Sequence, residues 1–435
     1  MIRLNAFILS FAWFVLFYSQ LSGQQLSEVL QTALKQNKEV QAQQQALQSA
    51  QLQAKATFRK TLPSLDLNAS YRHVTHVAQL QFPSTIPIPG FPSDISLGQY
   101  DTYESGLTLK YVLFSGFAQK NQVKLMNQQA GLANISLEDK QKEIAFKVIG
   151  AYRQVQAKQL ELEALQASLK RIELQIKRVK ALIKQGMALG LDTLSLKLAR
   201  LNVRKQLISA RGDLEIAQQQ LDQLVGGKVQ VPPFQKPESL ALNVLPVVQL
   251  MTPYRMLDQQ QQMQHTMVKI SKARYLPSLA AFASYNYGKP GLDFVKGEWM
   301  DYGIWGLSLS WNLFSWQADR LNEQAARAQV KKIEYQKEAV KDQLQTRFEN
   351  ALRQWQTLQE QEKVVQTALS VAQQKMKIVQ SRYQQGMASA TDFNEANLQL
   401  TEAELNLKRH YLLMALKLNE IDYLSGKPLN QWSIL

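Results

Sequence analysis

Leu62-Pro63-Ser64-Leu65-Asp66-Leu67-Asn68-Ala69-Ser70-Tyr71-Arg72 and, 214 residues later, Leu276-Pro277-Ser278-Leu279-Ala280-Ala281-Phe282-Ala283-Ser284-Tyr285 open on the same tetrapeptide. In the first stretch Leu65, Leu67, Ala69 and Tyr71 alternate with Asp66, Asn68, Ser70 and Arg72. A period of two predicts a strand with one apolar and one polar face. In the second, Leu279, Ala281, Ala283, Tyr285 and Tyr287 oppose Ser284 and Asn286. Each strand has a return partner: Leu107, Leu109, Tyr111 and Leu113 share one side, as do Trp305, Leu307, Leu309, Trp311 and Leu313.

These pairs belong to a longer internal repeat, which constrains architecture more firmly than local propensity does. Gly106-Leu107-Thr108-Leu109 recurs as Gly306-Leu307-Ser308-Leu309, and Leu113-Phe114-Ser115 as Leu313-Phe314-Ser315. Gln185-Gly186-Met187 returns as Gln385-Gly386-Met387, Asp192 as Asp392, and Gly227-Lys228 as Gly426-Lys427. The offset falls from 214 to 200 between the first two anchors, so the first repeat carries 14 extra residues, assigned to a Pro-, Ser- and Gly-rich loop within 81–98.

Around the strands the chain reads as helix. Gln25 to Arg59 and Leu245 to Ala273 open the two repeats, and helical stretches from about Ala118 to Val225 and Gln317 to Leu424 follow the strands, interrupted at Gly186 and Gly386. Leu162, Leu165, Leu169, Ile172, Ile176, Val179 and Ile183 alternate spacings of three and four, the a/d pattern of a coiled coil, and Val365, Leu369, Ala372, Met376, Val379 and Tyr383 repeat that register. Leu207, Ala210, Leu214, Ala217, Leu221 and Leu224 continue it on the returning helix. Each repeat is therefore expected to hold a helical hairpin whose long arm matches two short helices set end to end. The predicted layout is 1–23 leader, 24–228 first repeat, 229–244 junction, 245–427 second repeat and 428–435 tail.

The 435 residues contain no Cys, which excludes disulfides, thiolate metal sites and a cysteine nucleophile. Arg3 followed by the apolar run Ala6 to Tyr18 and a small residue at Gly23 reads as a secretory signal peptide, with an uncleaved anchor helix as the alternative. No later apolar run approaches the roughly 20 residues of a membrane-spanning helix, so any membrane passage falls to the strands. The formal net charge of +15 is spread along helices among Gln and Glu, which favours solvated faces over a nucleic-acid surface.

Strands of this length with aromatic ends suit an outer membrane, although a soluble sheet packed on the helices also fits. Four strands cannot close a barrel, and an open edge cannot face lipid because its backbone groups go unpaired. Three copies supply twelve strands and leave a lumen, whereas two supply eight and nearly fill it. A homotrimeric conduit is the leading reading; a periplasmic coiled-coil scaffold or adaptor without a pore is the other.

The ordered set of anchors, with the tips Gln185-Gly186-Met187-Ala188-Leu189-Gly190-Leu191-Asp192 and Gln385-Gly386-Met387-Ala388-Ser389-Ala390-Thr391-Asp392, resembles the TolC-like outer-membrane efflux family over essentially the whole mature chain. The resemblance implies an α+β membrane duct. Four transmembrane strands per protomer complete a twelve-stranded barrel in a trimer, and coiled-coil hairpins form a periplasmic α-barrel girdled by the junction and tail. It implies a passive channel component of a tripartite efflux or type I secretion system, set in outer-membrane lipid and meeting a periplasmic membrane-fusion adaptor and an inner-membrane transporter. Carried over by position, Gly186, Met187, Gly386 and Met387 are the adaptor-contact tips. Asp392 and Glu395 take the places of the acidic gate rings, and Asp192 and Tyr383 those of a gate link. Ala388 stands where the best-known member has an arginine supporting the closed state, so that bond is missing here.

Acidic residues converging in three copies on a narrow entrance repel one another and attract cations. The same positions also suit helix capping, since Asp192 and Asp392 each follow a tip turn. His73 and His76 are spaced to opposite faces of a strand, and His265 and His410 stand alone on helices. The sequence carries no phosphate-binding loop, nucleophile elbow or His-Glu-x-x-His pair. An enzyme, a cofactor and a metal are accordingly not expected.

Overall fold

The computed structural model describes residues 25–81, 94–185, 190–236, 247–293 and 297–432. The segment expected to be a leader, most of the enlarged loop, the first tip with Gly186 and Met187, much of the expected junction and the last three residues lie outside these. The element order is a helix–strand–strand–helix–helix series performed twice. The first comprises α1 (Leu26–Gln36), α2 (Lys38–Arg59), β1 (Ser64–His73), the short β2 (Gln79–Gln81) and β3 (Asp94–Ser96), β4 (Asp101–Ser115), α3 (Ala118–Lys184) and α4 (Gly190–Val225). The second comprises α5 (Thr252–Lys272), β5 (Ser278–Lys289), β6 (Met300–Ser310), α6 (Ala318–Gln384) and α7 (Ala390–Leu424).

The chain divides into two compact units that each draw on both repeats. One comprises Met1–Gln45, Asn134–Met256 and Lys337–Leu435; the other comprises Ala46–Ala133 and Leu257–Gln336.

In the second unit the long strands form one antiparallel sheet in the order β1-β4-β5-β6, and β2 pairs with β3 apart from it. The register places like with like: Leu65 faces Leu109, Leu67 faces Leu107, Leu107 faces Tyr285, Ala281 faces Leu307 and Leu279 faces Leu309. One side of the sheet is therefore largely apolar, with Ser105, Gly303 and Asp301 among the exceptions toward one end, and it is exposed, with Leu67 at 72% and Trp305 at 85% of full accessibility. Two details differ from the sequence expectation. A bulge between Val112 and Phe114 makes Leu113 the extra residue and brings Phe114 opposite Leu279 on the apolar side. β6 stops at Ser310, because β5 begins at its partner Ser278, so Trp311 and Leu313 lie beyond the paired region.

In the first unit the opening helix is broken, where the sequence reading ran it continuously from Gln25 to Arg59. Asn37 leaves helical geometry, and its Oδ1 accepts from the amides of Glu39 and Val40, capping α2. Its Nδ2 donates to the Leu224 carbonyl at 2.9 Å, so the end of α4 is stoppered by the same residue. α4 thus ends against the α1–α2 break. In the second repeat α5 starts at Thr252 rather than Leu245, with Pro253 in its first turn, where no amide is required.

The largest core of this unit surrounds α3 around Ile144, Val148, Ile149, Tyr152 and Val155, packed by Val29, Ala33, Leu221, Val225 and Trp432. A second joins Phe348 and Trp355 of α6 to Tyr411, Met414, Leu418 and Ile421 of α7. The junction segment is built into the first: Val229 and Val231 are buried there, and its carbonyls accept from Gln218, Gln159 and Gln156. Lys236 then pairs with Glu362 at 3.1 Å and lies over the Tyr411 ring. No helix among the described residues is long and apolar enough to cross a membrane.

Candidate functional site

The second tip is a tight helix-to-helix turn. At the end of α6 the Met387 amide donates to the Arg382 carbonyl at 2.9 Å and the Gly386 amide to Tyr383 at 3.1 Å. Gly386 has φ +71°, so this is a Schellman ending with glycine in the left-handed position. Open space surrounds Gly386, and Met387 is exposed. The expected contact pair of this tip therefore projects outward.

α7 starts at once with a capping box. The Ser389 hydroxyl accepts from the Asp392 amide, and the Asp392 carboxylate accepts from the Ser389 amide and hydroxyl, both at 2.8 Å. These bonds to Ser389, with Lys375 and Arg382 nearby, hold the Asp392 carboxyl below its usual range. Glu395, one turn on, pairs with Lys375 at 3.0 Å and accepts from Gln399. Both acids are exposed, and each is engaged within the chain.

Behind the turn lies an apolar cluster drawn from four helices: Ile172, Ile176 and Val179 of α3, Leu196 of α4, Ala372, Met376 and Tyr383 of α6, and Ala390, Phe393, Ala396 and Leu400 of α7. The a/d seams supply most of it. Higher on α3, however, the deepest positions are Ala164 and Ser168, which a count of large apolar residues passes over. Tyr383 is buried with its ring edge-on to Phe393, and its hydroxyl has no hydrogen-bond partner. Burial, with a contribution from the Asp192 charge, pushes that hydroxyl up to about 12. Asp192 and Tyr383 are therefore neighbours without a bond between them, where the sequence reading expected a link. Buried Thr193 and Asn394 side-chain oxygens and the Gln175 amide also lack partners, so the packing near the tip carries uncompensated polar groups.

A polar clamp that sequence reasoning missed joins the two hairpins. Arg171 of α3 donates Nε to Asn397 at 2.6 Å and Nη2 to Thr401 at 2.8 Å, and meets Glu404 of α7 at 3.4 Å. Asn397 in turn donates to Ser168 at 2.8 Å, and Ser168, Asn397 and Thr401 are all buried. The one available signal is the Asn397–Thr401–Glu404 spacing of four and three, a single face of α7.

Of the histidines, His73 ends β1 in a 2.8 Å contact with Asp101, His76 lies past the strand, and His410 is buried beside Tyr411. Among the described residues no three His, Asp or Glu side chains converge as a metal site.

A model of the family described as outer membrane efflux protein matches residues 29–227 and 255–427, most of the chain. The chain belongs to that family. No curated protein matches it by sequence. Among solved structures it is similar to the outer membrane protein VceC of Vibrio cholerae, with 17% identity, coverage of 92% of this chain and 96% of VceC, and a TM-score of 0.73. It is also similar to the CmeC outer membrane channel of Campylobacter jejuni, with 16% identity, 93% and 86% coverage and a TM-score of 0.75. The open state of the Neisseria gonorrhoeae MtrE outer membrane channel gives 16%, 93% and 89%, with a TM-score of 0.72. At these identities the likeness is one of fold: long helical hairpins with a small antiparallel sheet, as in TolC-like channels.

Proposed function

We propose that this member of the family is the outer-membrane channel subunit of a tripartite efflux or type I secretion system, acting as a passive homotrimeric duct. The observation that carries the reading is the sheet: four strands of 10 to 15 residues with one largely apolar side exposed and, among the described residues, both edge strands, β1 and β6, unpaired outward. Strands of about 9 to 11 residues cross a bilayer when tilted. Moving a leucine as exposed as Leu65, Leu67, Leu307 or Leu309 out of water contributes about 1.5–3 kcal/mol. Closing the edges requires further copies, and three give twelve strands.

The helices agree with self-assembly. Besides its buried seam, α4 presents Leu191, Leu194, Leu198, Leu201 and Ile208 at heptad spacing, all exposed, and α6 presents Val364, Val371 and Ile378 seven apart. Such stripes suit coiling against a neighbouring protomer. The tips at Gly186, Met187, Gly386 and Met387 would then meet a periplasmic adaptor coupled to an inner-membrane transporter. Asp192, Asp392 and Glu395 would form the gate at the entrance, with Tyr383 packed behind them.

The test is fractionation followed by electrophysiology. The chain should cofractionate with outer membranes as a heat-modifiable trimer that forms channels in planar bilayers. Replacing Asp392 and Glu395 by Ala should raise conductance and weaken divalent-cation block. Recovery of the folded chain as a soluble periplasmic protein would favour the pore-free scaffold; unchanged conductance and block would remove the gate assignment.

A further inference from the structure

α3 and α6 begin at equivalent places in the two repeats, but only α6 opens with an acid. α6 has Asp319 beside Arg320 in its first turn, whereas α3 has no acid there and carries Lys120 in its first turn and Lys124 in its second. The amino end of a helix is its positive pole, so these lysines stand at the unfavourable end. Gly116, at φ +59°, makes the turn that sets α3 against the end of α5; a Cβ there would lie 2.6 Å from the Ala273 carbonyl. The last turn of α5 adds Lys269 and Lys272.

The four lysines, with Phe117 and Leu276, line a cleft of about 480 Å³ that contains no carboxylate. Glu323 approaches Lys272 only to 3.9 Å and is held by Arg327 at 2.8 Å. Lys120, Lys124 and Lys269 have no ion pair among the described residues. Four ammonium groups and a helix amino end gathered in one cleft repel one another until an anion enters.

The cleft is joined to the apolar side of the sheet. The bulge in β4 puts Phe114 on that side, opposite Leu279, and the Phe114 ring meets Phe117 edge-on at 5.4 Å. Phe117, which lines the cleft, is itself more than half exposed. An anion bound here therefore has an apolar surface beside it, reaching onto the sheet.

We infer that this cleft holds the phosphate of an anionic phospholipid headgroup, with Lys120, Lys124, Lys269 and Lys272 as its cations and Phe117 and Phe114 under its acyl chains. The inference rests on the membrane reading of the sheet. It places the lipid in the leaflet on the helical side, where basic pockets beside membrane-spanning segments recruit such headgroups.

The full-length assembly in neutral detergent can be titrated with phosphatidylglycerol or phosphatidylcholine and weighed by native mass spectrometry. The wild type should retain phosphatidylglycerol in preference. One lysine near an anionic headgroup is worth about fivefold in affinity, so Lys120→Gln/Lys124→Gln/Lys269→Gln should lose on the order of 100-fold. The single Lys124→Gln variant should lose about fivefold if the triple variant does not assemble, and Lys331→Gln/Lys332→Gln should match the wild type. Equal retention of the two lipids, or undiminished phosphatidylglycerol binding by the lysine variants, overturns the inference. Displacement of the lipid by millimolar inorganic phosphate also overturns it, by marking a site for free anions. Brominated phosphatidylcholine separates the two readings. Quenched tryptophans without a phosphatidylglycerol preference sink only the lipid site, whereas unquenched tryptophans sink the membrane reading.

Discussion

Replacing Arg171 by Ala removes the side chain that ties the first hairpin to the buried Asn397 and Thr401 of the second. Its guanidinium supplies Asn397 Oδ1 at 2.6 Å and Thr401 Oγ1 at 2.8 Å, and both residues are buried. The Glu404 contact is longer, 3.4 Å, between side chains 22% and 29% exposed, and a pair of that kind contributes at most about 1 kcal/mol. The cost therefore lies in the two stranded acceptors, about 2–4 kcal/mol together. Asn397 keeps its bond to Ser168 and Thr401 its bond to the Asn397 carbonyl, so the loss is local. An opening equilibrium shifted by about 2 kcal/mol accelerates amide exchange about thirtyfold. Hydrogen exchange along 168–176 and 395–404 should rise by at least that factor, with exchange around Ile144–Val155 unaffected. Arg171→Lys should not restore protection, because an ammonium cannot reproduce the fork that reaches both acceptors. Unchanged exchange in Arg171→Ala, or full protection in Arg171→Lys, would refute the clamp.

Tyr383→Phe deletes a buried hydroxyl that has no partner, so thermal stability should stay level or rise by about 1 kcal/mol, and closed-state conductance should hold. A wider resting channel in this variant would mean that the hydroxyl makes a gate bond after all. The capping box gives a pH dependence. Because Asp392 is held below its ordinary 3.8, its contribution is fully present above that pH and is lost as pH falls through the lower folded value. Protease resistance at Met387 should accordingly be flat from neutral pH down to about 4 and fall below it. Ser389→Ala should already be sensitive at neutral pH. Trp355→Ala, at 2% exposure between α6 and α7, should destabilise the fold by about 3–5 kcal/mol, read as earlier thermal loss of the assembly.

What was legible in the sequence follows from which interactions leave a period. The strands were readable because one side of the sheet is largely apolar, and an alternation as clean as Leu65 to Arg72 has few other causes. The hairpins were readable from Ile172 to Ile183 and from Leu207 to Leu224, where large residues fill the seam. Reading failed where small or polar residues occupy the inside. Ala164 and Ser168 are deeper than Leu165 and Leu169, and Gln156 and Gln159 face inward to bond the carbonyls of the junction. Asn37 broke a helix that its neighbours would have continued, because its side chain caps one helix forward and another across the fold. None of these shows in a count of hydrophobic positions.

The same distinction governs the site. Tip position follows from glycine and the residue types of a turn, so Gly386, Ser389 and Asp392 mark the turn by residue type alone. Residue type does not fix what their carboxylates and hydroxyls bond to, since Asp392 turns back to Ser389, Glu395 crosses to Lys375, and Tyr383 ends facing Asp192 without touching it. Within one chain, then, Asp392 stays ionised but is tied into the cap of α7, and Glu395 is paired with Lys375. A gate built from them depends on which acid can turn toward the entrance when protomers meet: the Lys375 pair can be given up at little cost because it is exposed, whereas the Asp392 box is fixed into the start of α7. Glu395 is accordingly the more movable member of the pair. Glu395→Gln alone should reproduce most of the loss of cation block expected of the double variant, and a block that instead follows Asp392→Asn would reverse that order.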